Sequence, residues 1–350
     1  MEIPCALLTA NIKGAHRDAI YEGIAEGKIP IVIGTHALIQ SEVKFKRLGL
    51  AVIDEQHRFG VMQRQALHKK GINPDVLVMT ATPIPRTLAM TLYGDLEVSI
   101  VDQLPAGRKP IYTKVYRDSE REKLYHGMRM ELEHGHQIYV VYPLIEESEK
   151  IDLKNATDMS KSLASIFSPK YRVELLHGKM KPEEKERIMR EFKEGKVHVL
   201  AATSVVEVGV DVPNATVMVV EHAESLGLAA LHQLRGRVGR SNIQSFCILI
   251  CAYQPTEDAY RRLNIMVETT DGFRIAEEDL SIRGPGEFLG TRQSGLPEFK
   301  VANLVRDVGI LQVARQAAFE VIAEDMTLKL PKNKVFNEIL KEKVQFGNIA

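Results

Sequence analysis

Runs of aliphatic and β-branched residues alternate along the chain with segments whose apolar positions recur at helical spacing. Each run is short and ends in small or polar side chains. The runs lie at 29–34, 48–55, 75–83, 136–145, 171–178, 197–203, 215–222 and 245–251. This alternation predicts an α/β architecture in which parallel strands are covered by helices.

The clearest helix in this pattern lies at 182–194. Pro182 stands at its first turn and is followed by two acidic residues, which suit the positive end of a helix dipole. Ile188 and Phe192 fall on one apolar face, and Gly195 provides a stop. The segment is therefore predicted to be the helix between the two strands that flank it.

A segment that carries Pro and Gly at 103–110 interrupts the alternation and predicts a domain boundary. The predicted domains are two α/β domains and a helical region, at 1–105, 106–255 and 256–350. Within the helical region a Gly-rich stretch at 284–295 interrupts the pattern, and 301–323 is predicted to form an amphipathic helix or helix pair.

Polar side chains follow the first three runs at the points where the strands end. Because ligands of open α/β sheets bind beyond the carboxyl ends of the strands, these side chains are expected to share one rim of a single sheet. They are Thr35, Asp54, Glu55, Thr80 and Thr82. The layout alone therefore predicts a binding site at this rim.

The charge balance and the cysteines limit which binding partners and which cellular compartment are expected for the chain. Lys and Arg together number 46, as do Asp and Glu, so a contact with nucleic acid has to come from local clusters. The three cysteines show no disulfide or zinc spacing, which favours a reduced, cytoplasmic environment. No segment has the apolar length of a membrane span, so a membrane role is not expected.

Two adjacent carboxylates end the apolar run in AVIDEQH at 51–57. Phosphoryl transfer needs one carboxylate that holds Mg²⁺ through its water shell and one group that orients the attacking water. Asp54 and Glu55 fit these two roles. Two adjacent carboxylates without further motifs are more often solvated residues at a strand end. The other motifs of the chain favour the catalytic interpretation instead.

Two motifs of the second domain add groups that suit a nucleotide. In ATSVVEVGVDVP at 202–213, Gly209 permits close backbone approach and Asp211 can accept a hydrogen bond from a ribose hydroxyl. In QLRGRVGR at 233–240, glycines separate three arginines, whose guanidinium groups match phosphate oxygens bidentately. An ordinary aspartate turn and a basic surface loop are the competing interpretations.

The segments DEQH, TATP, ATSVVEVGVDVP and QLRGRVGR, in this order, resemble motifs II, III, V and VI of superfamily 2 helicases. Residues 271–295 resemble the TRG segment of the RecG family and of the transcription-repair coupling factor. The sequence RGPGEFLGTRQSG within this segment favours the RecG family. The resemblance implies tandem RecA-like parallel-sheet domains, the first one truncated, and a helical TRG segment. It also implies an ATP-dependent helicase or translocase that remodels stalled forks and Holliday junctions by branch migration in recombination and repair.

The resemblance assigns roles to individual residues, with ATP and Mg²⁺ as cofactors. Asp54 is expected to hold Mg²⁺, and Glu55 is expected to activate water. The residues expected to act at the γ-phosphate are Gln233, Arg237 and Arg240. Those expected to bind the nucleotide are Gly209 and Asp211. Those expected to couple nucleotide and DNA binding are His57, Thr80, Thr82, Arg283 and Gln293. Those expected to contact DNA are Thr9, Thr35 and Arg292.

The phosphate-binding loop GxxxxGK[ST] is absent from the sequence. Gly-Lys pairs begin at Gly27, Gly178 and Gly195, but none has a glycine five positions earlier or a Ser or Thr after the lysine. We therefore expect Met1 to be an expression start within a longer protein. We also expect the 350-residue chain by itself to have little or no ATPase activity.

Branched duplex DNA is the expected partner, single-stranded DNA-binding protein is a candidate second partner, and the chain is expected to be monomeric. The competing functions are a transcription-repair coupling translocase and a catalytically inactive DNA-binding or regulatory module that keeps the motor fold. A signalling NTPase fits less well, because it would not need both QLRGRVGR and the TRG segment.

Overall fold

The structure of the chain is a computed structural model with two compact units, Met1–Thr82 and Pro83–Ala350. The described residues are 3–55, 70–71, 74–80, 99–143, 149–203, 211–251, 254–288 and 307–347. Within them, side chains are not described at 149–154, 283–288, 308 and 341–347. Five of the predicted site residues lie outside the described residues: His57, Thr82, Gly209, Arg292 and Gln293.

The first unit contains two pairs of parallel strands and one α-helix among its described residues. Its elements are β1 (Cys5–Leu8), α1 (Ala15–Glu26), β2 (Ile31–Gly34), a 3-10 helix (His36–Ile39), β3 (Leu50–Ile53) and β4 (Asp75–Val78). β1 pairs with β2, and β3 pairs with β4. A small core formed by Leu8, Ile20 and Ile24 packs α1 against the first pair.

The single sheet predicted for the three runs of the first unit is wrong for its described residues, which form two separate pairs. The three predicted strands are present as β2, β3 and β4. However, β2 pairs with β1, a strand of sequence CALL that the pattern did not predict. Strand pairing depends on contacts between distant segments, which a local pattern does not contain.

The second unit is built on a six-stranded, all-parallel sheet in the order β5-β10-β9-β6-β8-β7. Its strands are β5 (Tyr112–Arg117), β6 (Gln137–Tyr142), β7 (Val173–Leu176), β8 (Val199–Thr203), β9 (Ala215–Val220) and β10 (Phe246–Cys251). Its helices are α2 (Arg121–Glu133), α3 (Glu149–Phe167), α4 (Pro182–Lys193), α5 (Leu228–Arg235), α6 (Glu257–Glu268), α7 (Gly272–Phe288), α8 (Val308–Glu324) and α9 (Lys334–Gly347). No helix in the described part of the chain combines the length and apolarity that a bilayer crossing requires.

Helices cover both faces of this sheet, which explains why its central strands are apolar at almost every position. Every residue of β6, β8 and β9 is buried. Side chains of α2 and α3 pack in the core on one face, and those of α4, α5, α6 and α7 pack in the core on the other. The predicted parallel sheet covered by helices is confirmed, and α4 lies where the sequence placed the helix at 182–194.

β5, the first strand of this sheet along the chain, lies before the run at 136–145, where the second series of strands was predicted to begin. β5 has the sequence YTKVYR and pairs only with β10, at the edge of the sheet. Its mixture of polar and apolar residues reflects that edge position, and it gave no clear apolar run. β5 is therefore identifiable from its pairing and not from its local pattern.

The helical region after the last strand also differs from the prediction in one place. α7 extends to Phe288, so it continues through Gly284 and Gly286, where the sequence predicted an interruption. Ile275 and Leu280 are buried, and this packing stabilises the helix beyond its local propensity. α8 forms the later part of the amphipathic helix predicted at 301–323, whose first six residues lie outside the described residues.

A buried ion pair joins α2 to the end of β9. The Arg121 guanidinium donates to both carboxylate oxygens of Glu221, at 2.8 Å each. Only 3% of the Glu221 side chain is exposed. Both hydrogen bonds of the fork compensate the carboxylate for its loss of water, so this buried charge is tolerated in the second unit.

Candidate functional site

The acid pair of the first unit lies in a turn directly after β3. Asp54 is exposed and Glu55 is half-buried. The Glu55 backbone N–H donates to Asp54 Oδ1 at 2.9 Å, and Glu55 has a φ of 56°. The left-handed region costs a non-glycine residue about 1–2 kcal/mol, and such conformations cluster at functional sites. The sequence predicted the two carboxylates but not this strained backbone.

The chemistry of this turn suits a hydrated magnesium ion. Mg²⁺ takes oxygen ligands, keeps several of its waters, and is commonly bound by one or two carboxylates together with phosphate oxygens. The exposed Asp54 carboxylate fits such a contact through water. Among the described residues, no group of three or more His, Cys, Asp or Glu side chains forms a metal site.

β4 brings a second predicted residue to the same edge. Ile53 and Val78 are register partners, and the Met79 N–H donates to the Ile53 carbonyl at 2.8 Å. Thr80 follows directly and is exposed. Asp54 and Thr80 therefore both stand at the carboxyl edge of the β3–β4 pair.

Thr9 and Thr35 follow the neighbouring strands β1 and β2. Leu8 and Gly34 are register partners, and the Thr35 N–H donates to the Leu8 carbonyl at 3.4 Å. A Cβ on Gly34 would collide with that carbonyl, so glycine allows the close approach. The two threonines thus lie at the carboxyl edge of the β1–β2 pair, which the described residues do not join to the edge that carries Asp54.

The arginine segment of the second unit, residues 233–240, begins on α5 and continues into a tight turn. The Arg237 N–H donates to the Leu234 carbonyl at 3.0 Å, and the Val238 N–H donates to the Arg235 carbonyl at 3.3 Å. Val238 is buried in the core. The turn is therefore held by its own hydrogen bonds and by one apolar anchor.

Gly239 fixes the direction in which this turn leaves the helix. Its φ is 73°, in the left-handed region, and a Cβ there would lie 2.7 Å from the Ile111 side chain. Any other residue would be strained and would also meet Ile111. Arg240 follows and is half-buried, as is Arg237.

Arg240 forms an ion pair with Asp211. Arg240 Nη1 lies 3.3 Å from Asp211 Oδ1, and Arg240 Nε donates weakly to the Gly236 carbonyl at 3.4 Å. The pair connects the two motifs of the second unit that the sequence related to a nucleotide. Because 59% of the Asp211 side chain is exposed, the pair is a weak one of the surface type and leaves the guanidinium able to exchange partners.

The charges of this pair influence Tyr139 of β6, which is buried. Burial raises the pKa of its hydroxyl to about 12, while the charges of Arg240 and Arg237 act in the opposite direction. Both guanidinium groups therefore lie close enough to influence one buried hydroxyl. Gln233, the remaining predicted residue of the segment, is half-buried on α5.

Arg235 behaves differently from the other two arginines. It is only 2% exposed, and it is the one arginine of the segment to which the sequence assigned no role at the γ-phosphate. Leu228, Leu231 and Arg235 are the buried residues of α5, and their spacing follows one helical face. This spacing is the signal that could have separated Arg235 from Arg237 and Arg240.

His232 directly precedes the arginine segment, and its titration provides a test of how deeply the His232 side chain is buried. Burial, and next the charge of Arg235, lower the pKa of His232 from its ordinary 6.5 to about 4, although Asp271 acts in the opposite direction. The folded state therefore binds fewer protons than the unfolded state between these values, so stability is lost as the pH falls from 6.5 towards 4.

We expect this loss to be smaller when His232 is replaced by Gln. Between pH 7 and pH 5 the wild-type chain should lose about 2 kcal/mol more unfolding free energy than His232→Gln, measured by urea unfolding. His126→Gln, at an exposed position of α2, is the control and should follow the wild type. An equal loss in the wild type and in His232→Gln would contradict the assigned burial.

The remaining predicted residue lies on α7. The backbone of Arg283 is helical, and its side chain is not described. Its position on a helix that packs against α5 is thus defined, whereas the direction of its guanidinium is not.

Three families match successive parts of the chain. Residues 3–91 match the DEAD/DEAH box helicase family, and residues 120–242 match the helicase conserved C-terminal domain. Residues 269–349 match the family described as ATP-dependent DNA helicase RecG, domain 3, C-terminal.

Similar proteins match almost the whole chain. ATP-dependent DNA helicase RecG of Synechocystis sp. is 53% identical over 93% of this chain and 39% of its own length. The protein of the same name from Bacillus subtilis is 50% identical over 99% of this chain and 51% of its own length. The chain therefore spans about two-fifths to one-half of the length of these curated relatives.

A solved structure agrees with these relatives. The structure of RecG bound to a three-way DNA junction superposes on this chain with a TM-score of 0.68 and is 44% identical in sequence. The match covers 89% of this chain and 40% of the RecG chain. The identities, the order of the matched domains and the RecG-specific match after residue 269 point to one family. The chain belongs to the RecG family of ATP-dependent DNA helicases.

Proposed function

We propose that this chain contributes the water-activating acid and the phosphate-contacting arginines of an ATP-driven DNA helicase that remodels branched duplex DNA. The substrates would be stalled forks and Holliday junctions, moved by branch migration in recombination and repair. Support for the DNA substrate comes from the related RecG structure, which is bound to a three-way DNA junction.

The Asp211–Arg240 ion pair is the observation that carries this proposal. It places a carboxylate suited to a ribose and a guanidinium suited to a phosphate 3.3 Å apart, although they are separated by 29 positions in the sequence. A nucleotide can offer a hydroxyl to the first group and a phosphate oxygen to the second. The pair joins the two segments of the second unit that the sequence related to a nucleotide.

The acid pair supplies the other half of the proposed chemistry. Asp54 would contact Mg²⁺ through water, and Glu55 would accept a proton from the attacking water. Arg240 and Arg237, assisted by Gln233, would stabilise the charge that develops on the transferred phosphoryl group. When bound, Mg²⁺-ATP supplies that phosphoryl group and the free energy for movement along DNA.

The remaining predicted residues would connect this chemistry to DNA. Thr9, Thr35 and Arg292 would contact the DNA. His57, Thr80, Thr82, Arg283 and Gln293 would relay the state of the nucleotide, and Gly209 would allow the nucleotide to approach Asp211. We propose that the protein acts as a monomer in the cytoplasm and meets single-stranded DNA-binding protein at forks.

A hybrid protein tests the function directly. In this hybrid the chain replaces the matching segment of the Bacillus subtilis relative, which aligns over 347 residues. We expect the hybrid to hydrolyse ATP, to be stimulated by forked DNA more than by linear duplex, and to unwind the fork. The 350-residue chain alone, which has no GxxxxGK[ST] segment, should show little or no turnover.

The same measurements separate the competing functions. A folded hybrid that binds forked DNA without ATP turnover would support the inactive DNA-binding module. Equal stimulation by linear and forked DNA, together with displacement of a stalled RNA polymerase, would support a transcription-repair coupling translocase. Turnover by the chain alone, abolished by Glu55→Gln, would contradict the expectation that the chain needs a phosphate loop from elsewhere.

A further inference from the structure

Arg235 is a buried cation in the middle of the arginine segment. It is the last residue of α5, and only 2% of it is exposed. Burial lowers the pKa of its guanidinium, but arginine does not lose its proton in proteins. A buried cation is costly unless its hydrogen bonds are made, so its partners indicate what holds it there.

Its partners are the free carbonyl groups at the end of α6. Arg235 Nη1 donates to the Met266 carbonyl and to the Thr269 carbonyl, at 2.8 Å each. The last carbonyls of a helix lack partners within the helix and carry partial negative charge. The guanidinium thus binds the negative end of α6, while its Nη2 has no hydrogen-bond partner among the described residues.

The same corner is tied to the start of α7. The Asp271 N–H donates to Thr269 Oγ1 at 3.0 Å, and Asp271 Oδ1 accepts from the Phe273 N–H at 2.9 Å. Residues 269–273 therefore form a hydrogen-bonded corner between α6 and α7. Arg235 joins the end of α5 to this corner.

The turn that carries the other two arginines begins at Arg235 itself. The Arg235 carbonyl accepts from the Val238 N–H at 3.3 Å. The residue after Val238 is Gly239, which lies close to the Ile111 side chain. The turn is therefore fixed at its start by the Arg235 side chain and at its end by Val238 and Gly239. Arg240 follows Gly239 directly and forms an ion pair with Asp211.

These contacts exclude Arg235 from a direct role at a phosphate. Its Nη1 is occupied by two carbonyl groups and its side chain is buried, whereas Arg237 and Arg240 are half-buried at the surface. We infer that Arg235 is a positioning residue, which binds the carboxyl end of α6 and thereby sets the direction of Arg237 and Arg240. Its importance for catalysis rests on the proposed function, but its effect on the two arginines does not.

The inference is tested in the 350-residue chain by NMR of selectively ¹⁵N-labelled arginine side chains, without nucleotide. In the wild type, the Arg235 guanidinium protons should exchange with water about tenfold or more slowly than those of an exposed arginine, as expected for hydrogen bonds from a charged group. Exchange as fast as that of an exposed arginine would overturn the inference, and this measurement requires no variant.

Variants then separate positioning from general stability. Arg235→Gln should shift the Nε–H signals of both Arg237 and Arg240, because the turn that carries them loses its anchor on α6 and the pairing of Arg240 Nη1 with Asp211 is disturbed. Arg235→Lys should restore part of this effect, because one nitrogen makes both hydrogen bonds in the wild type. The signals are assigned with Arg237→Lys and Arg240→Lys.

Arg262→Gln is the matched control. Arg262 lies on α6 and donates from Nη2 to the Glu224 carbonyl at 3.1 Å, so its loss removes a comparable contact that does not involve α5. Both Gln variants should lower the thermal midpoint, but only Arg235→Gln should move the Arg237 and Arg240 signals. Unchanged signals in Arg235→Gln, or equal changes in Arg262→Gln, would overturn the positioning role.

The hybrid assay reports on the proposed function separately. An inactive hybrid with the expected NMR results would leave Arg235 as the residue that positions Arg237 and Arg240, and would remove only the ATPase from the proposal. An active hybrid whose chain lacks the NMR effects would support the function and contradict the positioning role.

Discussion

Replacing Arg240 with alanine in the hybrid is expected to lower kcat for ATP hydrolysis by about 10³-fold or more, with KM for ATP changed by less than about threefold. The guanidinium would act mainly on charge that develops in the transition state, so its loss should appear in kcat. In the chain without nucleotide its partner is Asp211, an exposed carboxylate that a phosphate can replace. Steady-state turnover over a range of ATP concentrations measures both constants.

Two further variants sharpen this prediction. Arg240→Lys should recover only a minor part of the activity, because an ammonium group cannot form the bidentate fork. Arg187→Ala removes an arginine of α4 that also makes a partly buried ion pair, with Glu191 at 3.1 Å, and should leave turnover unchanged. Near-normal kcat in Arg240→Ala would show that this arginine does not contact the reacting phosphate.

Replacing Glu55 with glutamine should lower kcat of the hybrid by about 10²–10⁴-fold, the range expected when a general base is lost. Glutamine keeps the size of the side chain and cannot accept the proton. The Asp54 carboxylate remains in this variant, so affinity for Mg²⁺-ATP should change by less than about threefold. Turnover and equilibrium binding of a fluorescent ATP analogue distinguish the two effects.

Glu42→Gln is the control for this substitution, since Glu42 is an exposed acid of the same unit and lies outside the acid pair. It should leave kcat unchanged. A loss of nucleotide affinity that matches the loss of turnover in Glu55→Gln would instead make Glu55 a binding residue. Retained turnover would remove it from the proposed chemistry.

Local pattern was sufficient for most elements of the fold. All eight apolar runs contain a strand. In the second unit the central strands are buried on both faces by helices and therefore need an apolar residue at nearly every position. The helix α4 was predictable for a similar reason, since its first-turn proline and acids and its glycine stop are local signals.

The elements that the pattern missed are those whose formation depends on distant partners. β1 pairs with β2, and β5 is a partly polar edge strand that pairs with β10, so each is identified by the strand beside it. α7 continues through two glycines, and its buried residues, which precede them, pack in a core shared with α5 and α6. For the described residues of the first unit the predicted single sheet was wrong, because no local signal states which strands pair.

By itself, the sequence determined the order of the motifs, the residue types able to bind a nucleotide and the family that they resemble. Only the tertiary structure decided that Asp211 and Arg240 are paired, that Glu55 occupies a strained turn, and that Arg235 faces the interior. The physical reason is that a residue type limits the chemistry of a side chain. Its neighbours, burial and backbone conformation arise from contacts between segments far apart in the chain.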